Sequence, residues 1–102
     1  MIIATFKTEN DHISEISTSG HANYAEHGKD IVCAAVSAVF TGLINEIVRY
    51  ARAEYEAGLD GAVLKIQTPN KNTQVLAEYV LHTIKDIAEA YPGNVTVEIN
   101  VI

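Results

Sequence analysis

A second cysteine is missing from this chain of 102 residues, so Cys33 has no intramolecular disulfide partner. An unpaired thiol persists most readily in a reducing compartment, and a cytoplasmic protein is therefore expected. Basic residues are also few: Lys and Arg total 7 against 13 Asp and Glu, for a formal net charge of −6. They are scattered, so the chain has no basic stripe to track a phosphate backbone, and nucleic acid is not an expected partner. Uninterrupted apolar runs of about 18 residues are absent, and no membrane span is expected. The opening "MIIATFKTEND" lacks a basic segment followed by a long apolar one, so no secretory leader is read there. Repeats, low-complexity tracts and linkers are likewise missing. The acidic excess fits a basic partner, but solubility alone is the more ordinary reason for it.

What is present has globular composition, 48% apolar and 20% charged, and the length fits one domain over residues 1–102 with a single modest core. "IIATFKT" at 2–8 and "HISEISTSG" at 12–20 predict two strands joined through the turn chemistry of "END". Ile13 and Ile16 break the alternation, which marks a bulge. From Ile31 to Val48 apolar residues recur at helical spacing, predicting one long amphipathic helix that ends near Gly58, with Arg49 and Arg52 in its C-terminal part. A turn at Asp60–Gly61 introduces a third strand, "AVLKIQT" at 62–68. Asn72 is the expected N-cap of a second helix with Val75, Leu76, Tyr79, Val80, Ile84 and Ile87 as its stripe, stopped by "YPG" at 91–93. Val95, Val97, Ile99 and Val101 alternate with polar residues, predicting a last strand with one buried face. The reading is a two-layer α+β domain of order ββαβαβ, a four-stranded mixed sheet with two helices on one face.

The chemistry gathers in "SGHANYAEHGKDIVCAAVSAV", residues 19–39. Asp30 stands just before the helical periodicity and is a good N-cap, which puts Cys33 at about the third helical position. The first amides of a helix have no internal partner and carry the positive end of its dipole, so a thiolate is stabilised there. The Asp30 charge opposes that effect; its expected work is to order the turn or orient a histidine. The same amides are candidates for holding an oxyanion. His21 and His27 are both within reach as the base, and their spacing does not choose between them. Two other readings stand beside catalysis. Cys33 falls at the margin of the apolar stripe, where a free cysteine is often a small buried hydrophobe. His21, His27 and Cys33 with Glu26 or Asp30 supply enough donors for zinc, but the spacing H-x5-H-x5-C matches no familiar module. His12 and His82 are assigned no role, and Tyr24 and Glu26 read as surface loop residues.

Gly20-His21-Ala22, then Gly28, then Asp30-Ile31-Val32-Cys33-Ala34-Ala35-Val36-Ser37 resemble the motif of the ribosomal-processing cysteine protease family, Prp. Chain length and element order fit that family over essentially the whole domain. The resemblance implies that His21 is the catalytic base and Cys33 the nucleophile, with Asp30 and Ser37 in supporting positions and no transferable role for His27. It implies a bacterial cytoplasmic homodimer, needing neither cofactor nor metal, that removes a short N-terminal extension from a large-subunit ribosomal protein of the L27 type. The loop between His21 and Asp30, with Ala22, Asn23, Tyr24 and the flexible point Gly28, reads as a gate over the substrate. A non-enzymatic ribosome-associated binding module is the competing reading.

Overall fold

Two short apolar alternations at the N-terminus build a hairpin. Ile2, Ala4 and Phe6 of β1 (Ile2–Glu9) and Ile13 and Ile16 of β2 (His12–Ser19) are all buried in one core. Asn10 and Asp11 join the strands with φ of 52° and 63°, the left-handed pair that a tight hairpin turn requires and that these residues tolerate. The irregular spacing of the isoleucines is a bulge: Lys7 faces Glu15 and Thr8 faces Ile13, leaving Ser14 as the extra residue. Both isoleucines thereby reach the same side of the sheet.

This computed structural model describes residues 1–26, 28–51, 53–58 and 61–102. The candidate base His27, Arg52 with its expected place near the helix end, and Leu59 and Asp60 at the expected turn lie outside the described residues.

The first helix, α1 (Ile31–Tyr50), buries Val32, Val36, Phe40, Leu43 and Ile47, while Ile31 and Val48 of the expected stripe are exposed. By length and composition it is long and apolar enough to cross a membrane, although the sequence has no unbroken apolar run of that length. Its buried stripe nevertheless sits in one cluster with Phe6, Ile16 and Leu64 of the sheet.

The helix does not continue to Gly58. Ala51 is extended, with φ −155° and ψ 164°, and Ala53–Gly58 forms β3, antiparallel to β4 (Gly61–Ile66). Alanine and glutamate in "AEYEAG" favour a helix by propensity, but the large apolar residues at helical spacing have run out, and pairing gives β4 a partner along its edge. Among the described residues the sheet is therefore five-stranded and not four-stranded, in the order β3-β4-β2-β1-β5, and the element order is ββαββαβ.

The second helix, α2 (Lys71–Ala90), is capped by Asn70 and not by Asn72. Asn70 Oδ1 accepts from the Thr73 amide at 3.0 Å, and Thr73 Oγ1 accepts from the Asn70 amide at 2.9 Å, a reciprocal box built two residues earlier than expected. Asn70 Nδ2 also donates to the Tyr50 carbonyl at 2.7 Å, which ties the start of α2 to the end of α1. The buried residues of α2 are Thr73, Ala77, Val80 and Ile84, whereas Val75 and Tyr79 of the expected stripe face solvent.

The last strand, β5 (Val95–Val101), runs parallel to β1. Its face is buried only at Val95; Val97 is half-buried, Ile99 is exposed and Val101 is 83% exposed, so the expected buried face is confined to the strand's beginning.

Gln74 fastens α2 to the bulge. Its Oε1 accepts from the Ile13 amide at 2.8 Å and its Nε2 donates to the Ile13 carbonyl at 3.0 Å. Gln74→Ala leaves both groups without their partner and is expected to cost about 1–2 kcal/mol in urea unfolding. Val75→Ala, at the exposed neighbouring position, should stay within about 0.5 kcal/mol of the unsubstituted protein.

Candidate active site

The site forms where β1 and β5 begin and β2 ends. Gly20 turns the chain out of β2 with φ +82°, and a Cβ there would collide with the Met1 carbonyl oxygen. Glycine is thus required for both conformation and space. His21 follows on the surface, and Ala22 returns to the interior, 1% exposed. The Ala22 amide donates to Cys33 Sγ at 3.3 Å, and its carbonyl accepts from Asn94 Nδ2 at 2.9 Å.

Asp30 is the N-cap of α1, as its position before the periodicity suggested, and Cys33 is the third helical residue. Asp30 Oδ1 accepts from the amides of Val32 and Cys33, each at 3.0 Å. Its Oδ2 reaches across the loop to the amides of Tyr24 at 3.0 Å and Ala25 at 3.4 Å. The Cys33 amide is the chief cause that holds the Asp30 carboxyl below its ordinary value of 3.8; desolvation pushes it the other way, and the three remaining amides add to the lowering. These contacts order the turn.

Three of the first helical amides expected to hold an oxyanion are already bonded. Those of Val32 and Cys33 are taken by Asp30 Oδ1, and that of Ala34 by the Asp30 carbonyl at 3.1 Å. The backbone donor aimed at the sulfur comes from Ala22 instead.

Cys33 is half-buried at the margin of the core. It opens with His21, Asn23, Asp30 and Ser37 onto a cleft of about 470 Å³, whose remaining walls are the small residues Ala25, Gly28 and Ala34. Ser37 is exposed one helical turn beyond Cys33. Two of the expected gate residues, Asn23 with φ 55° and Gly28 with φ +87°, line the cleft. Ala22 lies beneath it as a fixed point, and Tyr24 packs edge-to-face on Tyr91 with ring centroids 5.3 Å apart. Among the described residues no group of three or more His, Cys, Asp or Glu side chains is placed to hold a metal ion; the donor set considered from the sequence included His27, which lies outside them. Asn94 and Tyr91 were missed by sequence reasoning. "YPGN" signals only the end of a helix, and no local pattern reports a contact 72 residues away.

Comparison with known proteins points to one family. The family model described as cysteine protease Prp matches residues 1–96. The ribosomal processing cysteine protease Prp of Bacillus subtilis (strain 168) is 34% identical over 112 aligned positions, covering 100% of this chain and 100% of that protein. The protein of the same name from Staphylococcus aureus (strain Mu50 / ATCC 700699) is 30% identical, covering 86% of this chain and 90% of its own. The crystal structure of an essential ribosomal processing protease Prp from S. aureus, in complex with a covalently linked product peptide, superposes with a TM-score of 0.92 at 25% identity, covering 98% of this chain and 100% of that one.

Because the Asp30 carboxyl is held below its ordinary value, its contribution is fully present above about pH 3.8 and is lost as pH falls through the lower folded-state value. Asp30→Ala should lower the thermal midpoint at pH 7, and the gap to the unsubstituted protein should close as the pH is taken below 3.8. Thermal scans of the two proteins across pH 2.5–7 check this, and a gap that does not narrow in acid would place the effect elsewhere.

Proposed function

This chain belongs to the cysteine protease Prp family, and we propose that it removes the short N-terminal extension of a large-subunit ribosomal protein of the L27 type by Cys-His nucleophilic catalysis. The observation that carries this is the sharing of one peptide-sized cleft by Cys33 and His21, with a backbone N–H on the sulfur. The relatives named as ribosomal processing proteases support a ribosomal substrate. The covalently linked product peptide of the S. aureus protein is in keeping with a nucleophile that bonds to its substrate.

The steps follow from the residues. His21 takes the Cys33 proton, and the sulfur attacks the scissile carbonyl carbon. The carbonyl oxygen becomes an oxyanion next to the sulfur, where the Ala22 N–H already points. As the C–N bond breaks, His21 returns its proton to the leaving amine, and the new N-terminus departs. Water, deprotonated by His21, then releases the extension from the thioester and restores the thiol. Ser37 presents a hydroxyl to the bound peptide from the cleft wall, and Asp30 holds the loop and the helix start in register. Asn23, Tyr24 and Gly28 belong to the gate that closes over the peptide. The chemistry needs no cofactor and no metal. We assign the whole of residues 1–102 to one catalytic domain, acting in the bacterial cytoplasm as a homodimer, without nucleic acid or membrane as partner.

Incubation of the purified protein with the precursor ribosomal protein tests this. Cleavage should vanish with Cys33→Ala, fall about 10²- to 10⁴-fold with His21→Ala, and change little with His27→Ala. Undiminished cleavage by Cys33→Ala would remove the nucleophile from the scheme. A dead His27→Ala beside an active His21→Ala would move the base.

A further inference from the structure

The Ala22 amide does its work on Cys33 only if residue 22 is held in one orientation, and the loop that carries it leaves the sheet at Gly20 with no ladder partner. Its carbonyl is in the interior, where an unpaired acceptor is costly. The group that satisfies it comes from the far end of the chain: Asn94 Nδ2, 2.9 Å away.

The backbone of Asn94 is already committed. Its amide donates to the Tyr91 carbonyl at 2.9 Å, and its carbonyl accepts from the Ile2 amide at 2.8 Å. Those bonds close the turn after α2 and seat β5 against β1. The side chain adds nothing to them. What it does is span to Ala22, and the same turn makes a second tie to the loop through the Tyr91–Tyr24 ring contact.

We propose that Asn94 is a positioning residue for the cleavage reaction, holding Ala22 by its carbonyl so that the Ala22 N–H stays aimed at Cys33 Sγ. This rests on the reading of Cys33 as the nucleophile. Holding the carbonyl on one side of residue 22 restricts how that residue can rotate, and with it the swing of the N–H on the other side. A donor that must sit within tenths of an ångström of a reacting atom is sensitive to such a tether; displacements of about 1 Å cost about 10²-fold in favourable cases.

Asn94→Asp isolates the effect. Aspartate has the same shape and suits the same turn, but it offers an oxygen where the Ala22 carbonyl needs a donor. With the precursor protein as substrate, kcat should fall about 10- to 100-fold while KM stays within about twofold, the pattern of an interaction used in the transition state. Iodoacetamide should label Cys33 of the free protein at least about threefold more slowly at pH 7, since the donor on the sulfur is displaced. Asn94→Ala should show both effects. Val97→Ala, on β5 and away from the cleft, should lower stability without changing the labelling rate. The inference is overturned if folded Asn94→Asp and Asn94→Ala cleave and label as the unsubstituted protein does, or if Val97→Ala slows labelling equally. Failure of both Asn94 variants to fold would make the side chain a stability element and also end the proposal. Cleavage by Cys33→Ala would instead refute the underlying assignment, so the two failures are told apart.

Discussion

One carboxylate organises the site. Asp30 has two oxygens and gives each a separate set of amides: Oδ1 takes those of Val32 and Cys33 at the start of α1, and Oδ2 takes those of Tyr24 and Ala25 in the loop. Capping the helix and fastening the loop are therefore one event. Because the helix begins at Ile31, Cys33 is delivered in its first turn, at the edge of the core, with its sulfur toward the cleft. The arrangement has a consequence for chemistry. Amides that an uncapped helix start would leave open, those of Val32 and Cys33, are spent on Asp30 Oδ1, and the backbone N–H that meets the sulfur, that of Ala22, comes from outside the helix. The conformation of the short Gly20–Ala22 segment therefore matters as much as that of the helix.

The rest of the fold brings distant chain segments to that point. The pairing of Ile3 with Ser19 and of Ile2 with Val95 puts the start of β1, the end of β2 and the start of β5 side by side. Gly20 passes under the Met1 carbonyl, Ala22 enters the core, and Asn94 meets it from the turn before β5. The stripe of α1 from Val32 to Ile47 sets the height of the helix over the sheet, so the position of Cys33 is fixed by burial at some distance from the reaction. Small residues on the cleft wall, Ala25, Gly28 and Ala34, leave room for a peptide backbone to approach the sulfur.

How much of this was legible in the sequence follows the range of the interactions. The N-cap, the third-position cysteine and the bulge at Ser14 are local, and a carboxylate before a helical period or two isoleucines three apart report them directly. The strand at Ala53–Gly58 was read as helix because Gly58 was taken as the stop of the helical run, and the edge of β4 that it pairs with is invisible in the sequence. Asn70 outcompeted Asn72 as a cap because Thr73 answers it, a reciprocity that propensity alone does not rank. The buried face of β5 was overextended because alternation shows which residues share a side and not how far a helix covers them. His21 was singled out from His27 by family resemblance, since both histidines are close enough in sequence. Asn94 had no signal at all.

The same contacts decide how the loop can move. Ala22 is held from both sides, by Cys33 and by Asn94, and the Oδ1 bonds of Asp30 belong to the helix. The Oδ2 bonds to Tyr24 and Ala25 are exposed to solvent, and water replaces them readily when they open. Asn23 and Gly28, both with positive φ, stand at the two ends of that exposed stretch. For the proposed gate, release of the Oδ2 bonds leaves the Oδ1 bonds in place, so the helix start and the Ala22 contact with the sulfur are undisturbed. The exposed bonds that fasten the loop and the half-buried bonds that cap the helix thus belong to different oxygens of one side chain.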